Sequence, residues 1–334
     1  MTDDLQPIDS PTAEPIVVTP AERASERRQF FRTALGAAAV TVAGATALTL
    51  GPRAFADTTS DVDNLNFALQ LGYLEAQFYN IAAFGGTGLP AGQLTAGSAA
   101  TGTNVAGQAT GARQVTFTDP LVAQYAAEIA QDKAAHVAWL RTELNTVASA
   151  QPAIDLGIAA TGAFSTAMRA AGVITGAGST FDPYASDGNF LLAAFLFADV
   201  GVSVLRGAIA LITDAGHREV VEGAMITDAH HAAIIRTTLY AKGATTASLR
   251  TNADLISNLR DALDGTGDDD QGISPSGTGA TAVANVIPAY ADGTIFARDT
   301  THTLNIAYLN SAQVTKGGFF PNGVNGTVVT SAAN

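Results

Sequence analysis

The stretch Tyr125-Ala-Ala-Glu-Ile-Ala-Gln-Asp-Lys-Ala-Ala-His-Val-Ala-Trp-Leu140 carries two polar residues where a helix should be most apolar. Val122, Tyr125, Ile129, Lys133, His136, Leu140, Leu144 and Val147 recur at helical spacing and form one stripe, and only Lys133 and His136 break its apolar character. They lie one turn apart and face inward. Val221, Ala224, Asp228, His231 and Ile235 form a second stripe of the same kind, again with an ionisable residue three positions before a histidine. Two inward pairs of this form on separate helices are what a metal-binding four-helix bundle uses.

Two further helices complete a four-helix arrangement. The first runs from Asp61 to about Phe84, with Asp61 or Asp63 as its cap, and places Glu75 on a face with Leu71, Gly72, Phe78 and Tyr79. A carboxylate in such a face is costly unless something pairs with it. The second begins at Asp119-Pro120, a capping residue followed by proline at the first helical position, and is expected to reach roughly Ala150. Asn189 to Thr213 is the most apolar segment beyond the N-terminal region, interrupted by Asp199, Ser203 and Arg206. Two central charges would each cost about 2.5–3.5 kcal/mol in a membrane, so a buried bundle helix is preferred, with Leu191, Ala194, Ala198, Val202, Leu205 and Ile209 inward. The fourth helix runs from about Asp214 to Ala241 and stops near Gly243.

The connections are informative too. Gly85 to Thr118, rich in Gly, Ala and Thr, reads as a long exposed loop. About forty residues separate the second helix from the third, too many for a hairpin and enough for a crossover. After the fourth helix, Thr251 to Leu263 is expected to be a short helix, Asp264 to Gly279 an acidic Gly/Ser-rich linker, and Thr300 to Ser311 one more helix. The end, Gly317-Gly-Phe-Phe-Pro-Asn-Gly-Val-Asn-Gly326, is turn-rich around two aromatics that need a surface to cover them.

At the N-terminus a polar stretch leads to Arg27-Arg28-Gln29-Phe30-Phe31-Arg32, a mildly apolar run and the small-x-small pattern Ala54-Phe55-Ala56. Paired arginines in that setting resemble a twin-arginine export signal, which implies a mature chain starting at Asp57 in the periplasm or outside the cell. The expected organisation is 1–56 signal, 57–245 bundle and 246–334 C-terminal extension packing on the bundle. The chain has a net charge of −13, a poor match for nucleic acid or an anionic membrane. With no cysteine, any metal must be held by His, Asp or Glu. No nucleophile triad, phosphate loop or thiol motif points to another enzyme class.

The helix with Leu74-Glu75-Ala-Gln-Phe-Tyr79, the Ala134-Ala-His-Val137 and Asp228-Ala-His-His-Ala-Ala233 helices and the Gly-Gly-Phe-Phe-Pro-Asn-Gly tail resemble the exported ferritin-like proteins often labelled desiccation-related. The resemblance implies an all-α, ferritin-like four-helix bundle with a long crossover between helices 2 and 3 and a C-terminal extension. In the wider superfamily each helix pair supplies a lone glutamate and a Glu-x-x-His, together holding two iron or manganese ions. Carried over, Glu75 matches the first lone glutamate, His136 and His231 the histidines, and Asp228 a glutamate shortened to aspartate.

Two positions depart from that pattern. Lys133 stands where the first Glu-x-x-His should begin, and Ala198 where the third helix should present its glutamate. Two of four expected carboxylates remain, so the expectation is no cofactor: Lys133 replaces a metal by pairing with Glu75 and Asp228. The alternatives are one iron or manganese ion held by Glu75, His136, Asp228 and His231, or a di-iron or di-manganese oxidase, peroxidase or iron-binding store at the same bundle site, which a local bulge turning Asp132 or Asp199 inward would help restore. Without a bulge, those two lie about 100° around their helices from the site. The preferred function is a metal-free, stress-related structural or binding module. The sequence leaves room for a homo-oligomer and names no ligand.

Overall fold

The computed structural model describes residues 59–267 and 269–334, all within one unit of the chain, residues 52–334. The export signal expected at 1–56 lies outside the described residues. Seven α-helices are present among them: α1 Thr59–Phe84, α2 Pro120–Leu144, α3 Ala163–Ala170, α4 Asp187–Ile209, α5 Ala215–Lys242, α6 Ser248–Leu263 and α7 Thr300–Tyr308. The fold is all-α and consistent with the expected ferritin-like bundle.

Local chemistry sets the helix ends. Asp119 accepts from the Leu121 amide at 2.9 Å with Pro120 behind it, and Ser186 from Asn189 at 3.2 Å. Asp214 caps α5 through the amides of Gly216 and His217 at 2.8 and 2.9 Å. Asp61 is not the cap of α1. It lies inside the first turn and accepts from the amides of Thr213 and Asp214 at 2.9 and 2.8 Å, tying the start of α1 to the α4–α5 corner. α2 ends at Leu144, short of the expected Ala150, because Asn145 takes up a φ of 45° that a helix cannot continue through.

α1 packs along α2 and α4 along α5, and the two pairs meet through α1 with α4 and α2 with α5. α4 is the only described helix long and apolar enough to cross a membrane; here it is buried on nearly every side by the rest of the fold. The connection from α2 to α4, residues 145–186, carries α3 and a short strand, β2 (Ile154–Asp155). That strand pairs in parallel with β1 (Ala109–Thr110). The loop between α1 and α2 is therefore less free than its composition implies. Most of its residues are exposed, yet Leu89 and Val115 are buried. Its amides at Gly97 and Gly107 bond to Ala148 and Gln151, both at 2.8 Å. Gly88 sits at φ 76°, a left-handed conformation that other residues adopt only with strain, and a Cβ there would also displace the Gln77 side-chain amide.

Residues beyond α5 contact the bundle closely. Phe319 packs edge-on against Phe164 and Phe197, with ring centroids 5.1 and 4.9 Å away. The expected linker at 264–279 is not one: Asp264 and Asp270 are buried. Arg260 Nη2 lies 2.9 Å from Asp199 and 2.5 Å from Asp270, and Arg298 reaches Asp264 at 2.5 Å and Asp270 at 2.9 Å. Two of the acids that make this segment look solvated, Asp264 and Asp270, are the counter-ions of buried arginines.

Candidate functional site

The bundle brings Glu75 of α1, Lys133 and His136 of α2, and Asp228 and His231 of α5 together. Lys133 Nζ lies 2.6 Å from Glu75 Oε2 and 2.9 Å from Asp228 Oδ2, with all three side chains 8% exposed or less. Asp228 Oδ1 faces the histidines, 3.5 Å from His136 Nδ1 and 3.4 Å from His231 Nδ1. The other ring nitrogen of His231, Nε2, is hydrogen-bonded to Asp132 Oδ2 at 3.0 Å. His136 sits at the mouth of the cluster, its side chain 21% exposed.

The electrostatics follow from burial set against pairing. Burial alone would strip the proton from Lys133, but Asp228 and Glu75 outweigh it and raise the ammonium's pKa, so the side chain stays charged. Burial pushes Glu75 up, and the Lys133 contact only partly offsets this. Asp228, equally buried, is nonetheless held well below the usual carboxylate range by Lys133 and the two histidines. Burial also favours neutral imidazoles: it leaves His136 lowered, whereas the carboxylates of Asp132 and Asp228, one beside each ring nitrogen of His231, leave that ring raised. A buried ammonium and a carboxylate-flanked imidazole thus stand among three acids.

Asp132 and Asp199 behave differently. Asp199 turns away to Arg236 and Arg260, at 2.7 and 2.9 Å. Asp132 reaches the cluster from the flank of α2 within an unbroken helix, because His231 extends toward it from α5. Opposite Glu75 the approach is made by Gly201, three residues past Ala198; a Cβ there would lie 3.0 Å from Glu75 Oε1. Ala198 is buried in the core. Sequence reading missed Gly201, although a glycine inside an apolar helix, costing about 1 kcal/mol relative to alanine, is itself a sign of close approach.

The donor set does not fit a pair of divalent ions. The two carboxylates that would hold a metal each already lie within 3 Å of the Lys133 ammonium. A dication there would meet a like charge at short range. Among the described residues, no group of three or more acidic or histidine side chains is arranged to hold a metal ion.

A family model for the ferritin-like domain matches residues 60–241, which span α1 to α5. The chain is 27% identical to a ferritin-like catalase of Nesocodon mauritianus over 284 residues, covering 80% of this chain and 85% of that protein. It is 30% identical to a desiccation-related protein of Craterostigma plantagineum over 226 residues, covering 64% and 66%. No solved structure gives a significant match. With the four bundle helices lying inside the matched span and both relatives similar over most of their length, this chain belongs to the ferritin-like domain family, alongside its desiccation-related members.

Proposed function

We propose that this protein is a metal-free member of its family, in which protein cations replace the metal ions and the bundle serves as a stable structural or binding module under stress. The observation that carries this reading is the position of Lys133 Nζ, 2.6 Å from Glu75 and 2.9 Å from Asp228. An ammonium so placed neutralises charge that a metal would otherwise neutralise, and cannot be displaced without leaving buried carboxylates unpaired. His231, held between Asp132 and Asp228, extends the same substitution to the second histidine helix. The name of the Craterostigma relative supports a stress-related role, and the Arg27-Arg28 motif supports export through the twin-arginine route.

The name of the Nesocodon relative offers a catalytic reading instead. For this chain the donor set argues against it, since no di-metal centre fits around Lys133. Elemental analysis of protein expressed with its own N-terminal region, followed by incubation with iron(II) or manganese(II), tests the choice. Clearly fewer than two ions per chain and no peroxide disproportionation are expected. Two bound ions with peroxide turnover would overturn the proposal.

A further inference from the structure

The carboxylate cluster borders a small hollow that its own side chains do not fill. This space, about 40 Å³, lies between all four bundle helices and touches Glu75, Lys133, His136, Gly201, Ala224 and Asp228. A water needs roughly 10–15 Å³ of such space, so the hollow has room for about three water-sized molecules. A second, apolar hollow of about 30 Å³ adjoins Glu75 and Gly201 on the side of α7 and Phe319. Gly201 keeps the space open, because even one carbon added there would press on Glu75 Oε1.

Glu75 Oε1, a buried acceptor at this wall, has no hydrogen-bond partner, and Asp228 Oδ1 has only the two imidazole nitrogens at 3.4 and 3.5 Å. Such orphans are costly, and native interiors satisfy them with ordered molecules. Lys133 adds a donor: an ammonium has three protons, and two carboxylate oxygens lie within 3 Å of its nitrogen. The guest must therefore donate to a carboxylate and accept from the ammonium. A cation would be repelled by Lys133 and an anion by Glu75 and Asp228, while an apolar gas would leave Glu75 Oε1 unsatisfied.

We propose that the hollow beside Glu75 is a binding site for a neutral, water-sized molecule that both donates and accepts hydrogen bonds, with water as the resting guest and hydrogen peroxide able to exchange into its place. The proposal rests on the metal-free reading, because a metal here would consume both carboxylates. His136, partly exposed and neutral-leaning through burial, forms the edge through which a guest enters.

The test is solution NMR on the full chain, with metal content measured first so that failure of the metal-free reading is seen separately. Long-lived water should give cross-relaxation to protons of Gly72 and His136. Hydrogen peroxide should shift the same resonances saturably. Ala224→Leu, which adds bulk to the hollow from α5, should abolish both effects, and Gly201→Ala provides a second filling variant should the first fail to fold. A metal-free wild type lacking the water signal would overturn the site, as would peroxide shifts of equal size in the filled variants.

Discussion

Asp132 meets His231 Nε2 at 3.0 Å, so the residue beside Lys133 reaches the core from the flank of its helix and pins the imidazole of α5. With Asp228 on the other ring nitrogen, His231 is gripped from two sides. Lys133 holds Glu75 and Asp228 in the same way, and together the two residues link α1, α2 and α5 through charge in a region of low exposure.

Asp132→Ala removes one grip. A hydrogen bond to a charged group is worth roughly 1.5–3 kcal/mol, and a loss of stability in that range is expected from chemical denaturation. The His231 imidazole should also titrate at lower pH than in wild type by NMR. An unchanged titration would mean that Asp132 does not hold the ring.

The same pairing fixes a pH dependence. His231 has a raised folded pKa, so its contribution is fully present below the unfolded value of about 6.5 and is lost as pH rises through the folded value. His136, lowered by burial, has the opposite sign: its contribution is lost as pH falls from about 6.5 through its folded value. The stability advantage of wild type over His231→Gln should therefore be greatest below pH 6.5 and shrink above it, as read from urea midpoints at several pH values. An advantage that grows with pH would contradict the assignment.

Much of this site was legible in the sequence. The inward stripes brought out Lys133, His136, Asp228 and His231, because period and polarity are local properties of a helix, and the family resemblance then implied the pairing of Lys133 with Glu75. What was not legible depends on partners distant in the chain. The 264–279 segment reads as solvated because it is acidic and Gly-rich, yet its burial is set by Arg260 and Arg298. Asp132 sits off the stripe, and only the reach of His231 from the neighbouring helix brings it to the cluster.

The tail supplies a third expectation. Phe319 is buried between Phe164 and Phe197, and truncating a core phenylalanine typically costs about 3–5 kcal/mol. Phe319→Ala should lose stability on that scale and raise hydrogen exchange in residues 317–326 above that in α2. Uniform exchange changes would show that the tail is not a separately loosened unit.

Lys133→Met removes the ammonium while keeping length and apolar character. Leaving Glu75 and Asp228 without their cation should cost about 3–5 kcal/mol by chemical denaturation. A neutral effect would mean that the carboxylates are satisfied without it.

The central claim, that a lysine stands in for metal, is tested most directly by thermal unfolding of wild type and Lys133→Glu with and without manganese(II). The variant places a third carboxylate beside Glu75 and Asp228 and should unfold at much lower temperature in chelator, then recover as manganese binds the native state. The wild-type midpoint should not move. A wild-type midpoint that rises with manganese, together with a variant that gains nothing, would contradict the account.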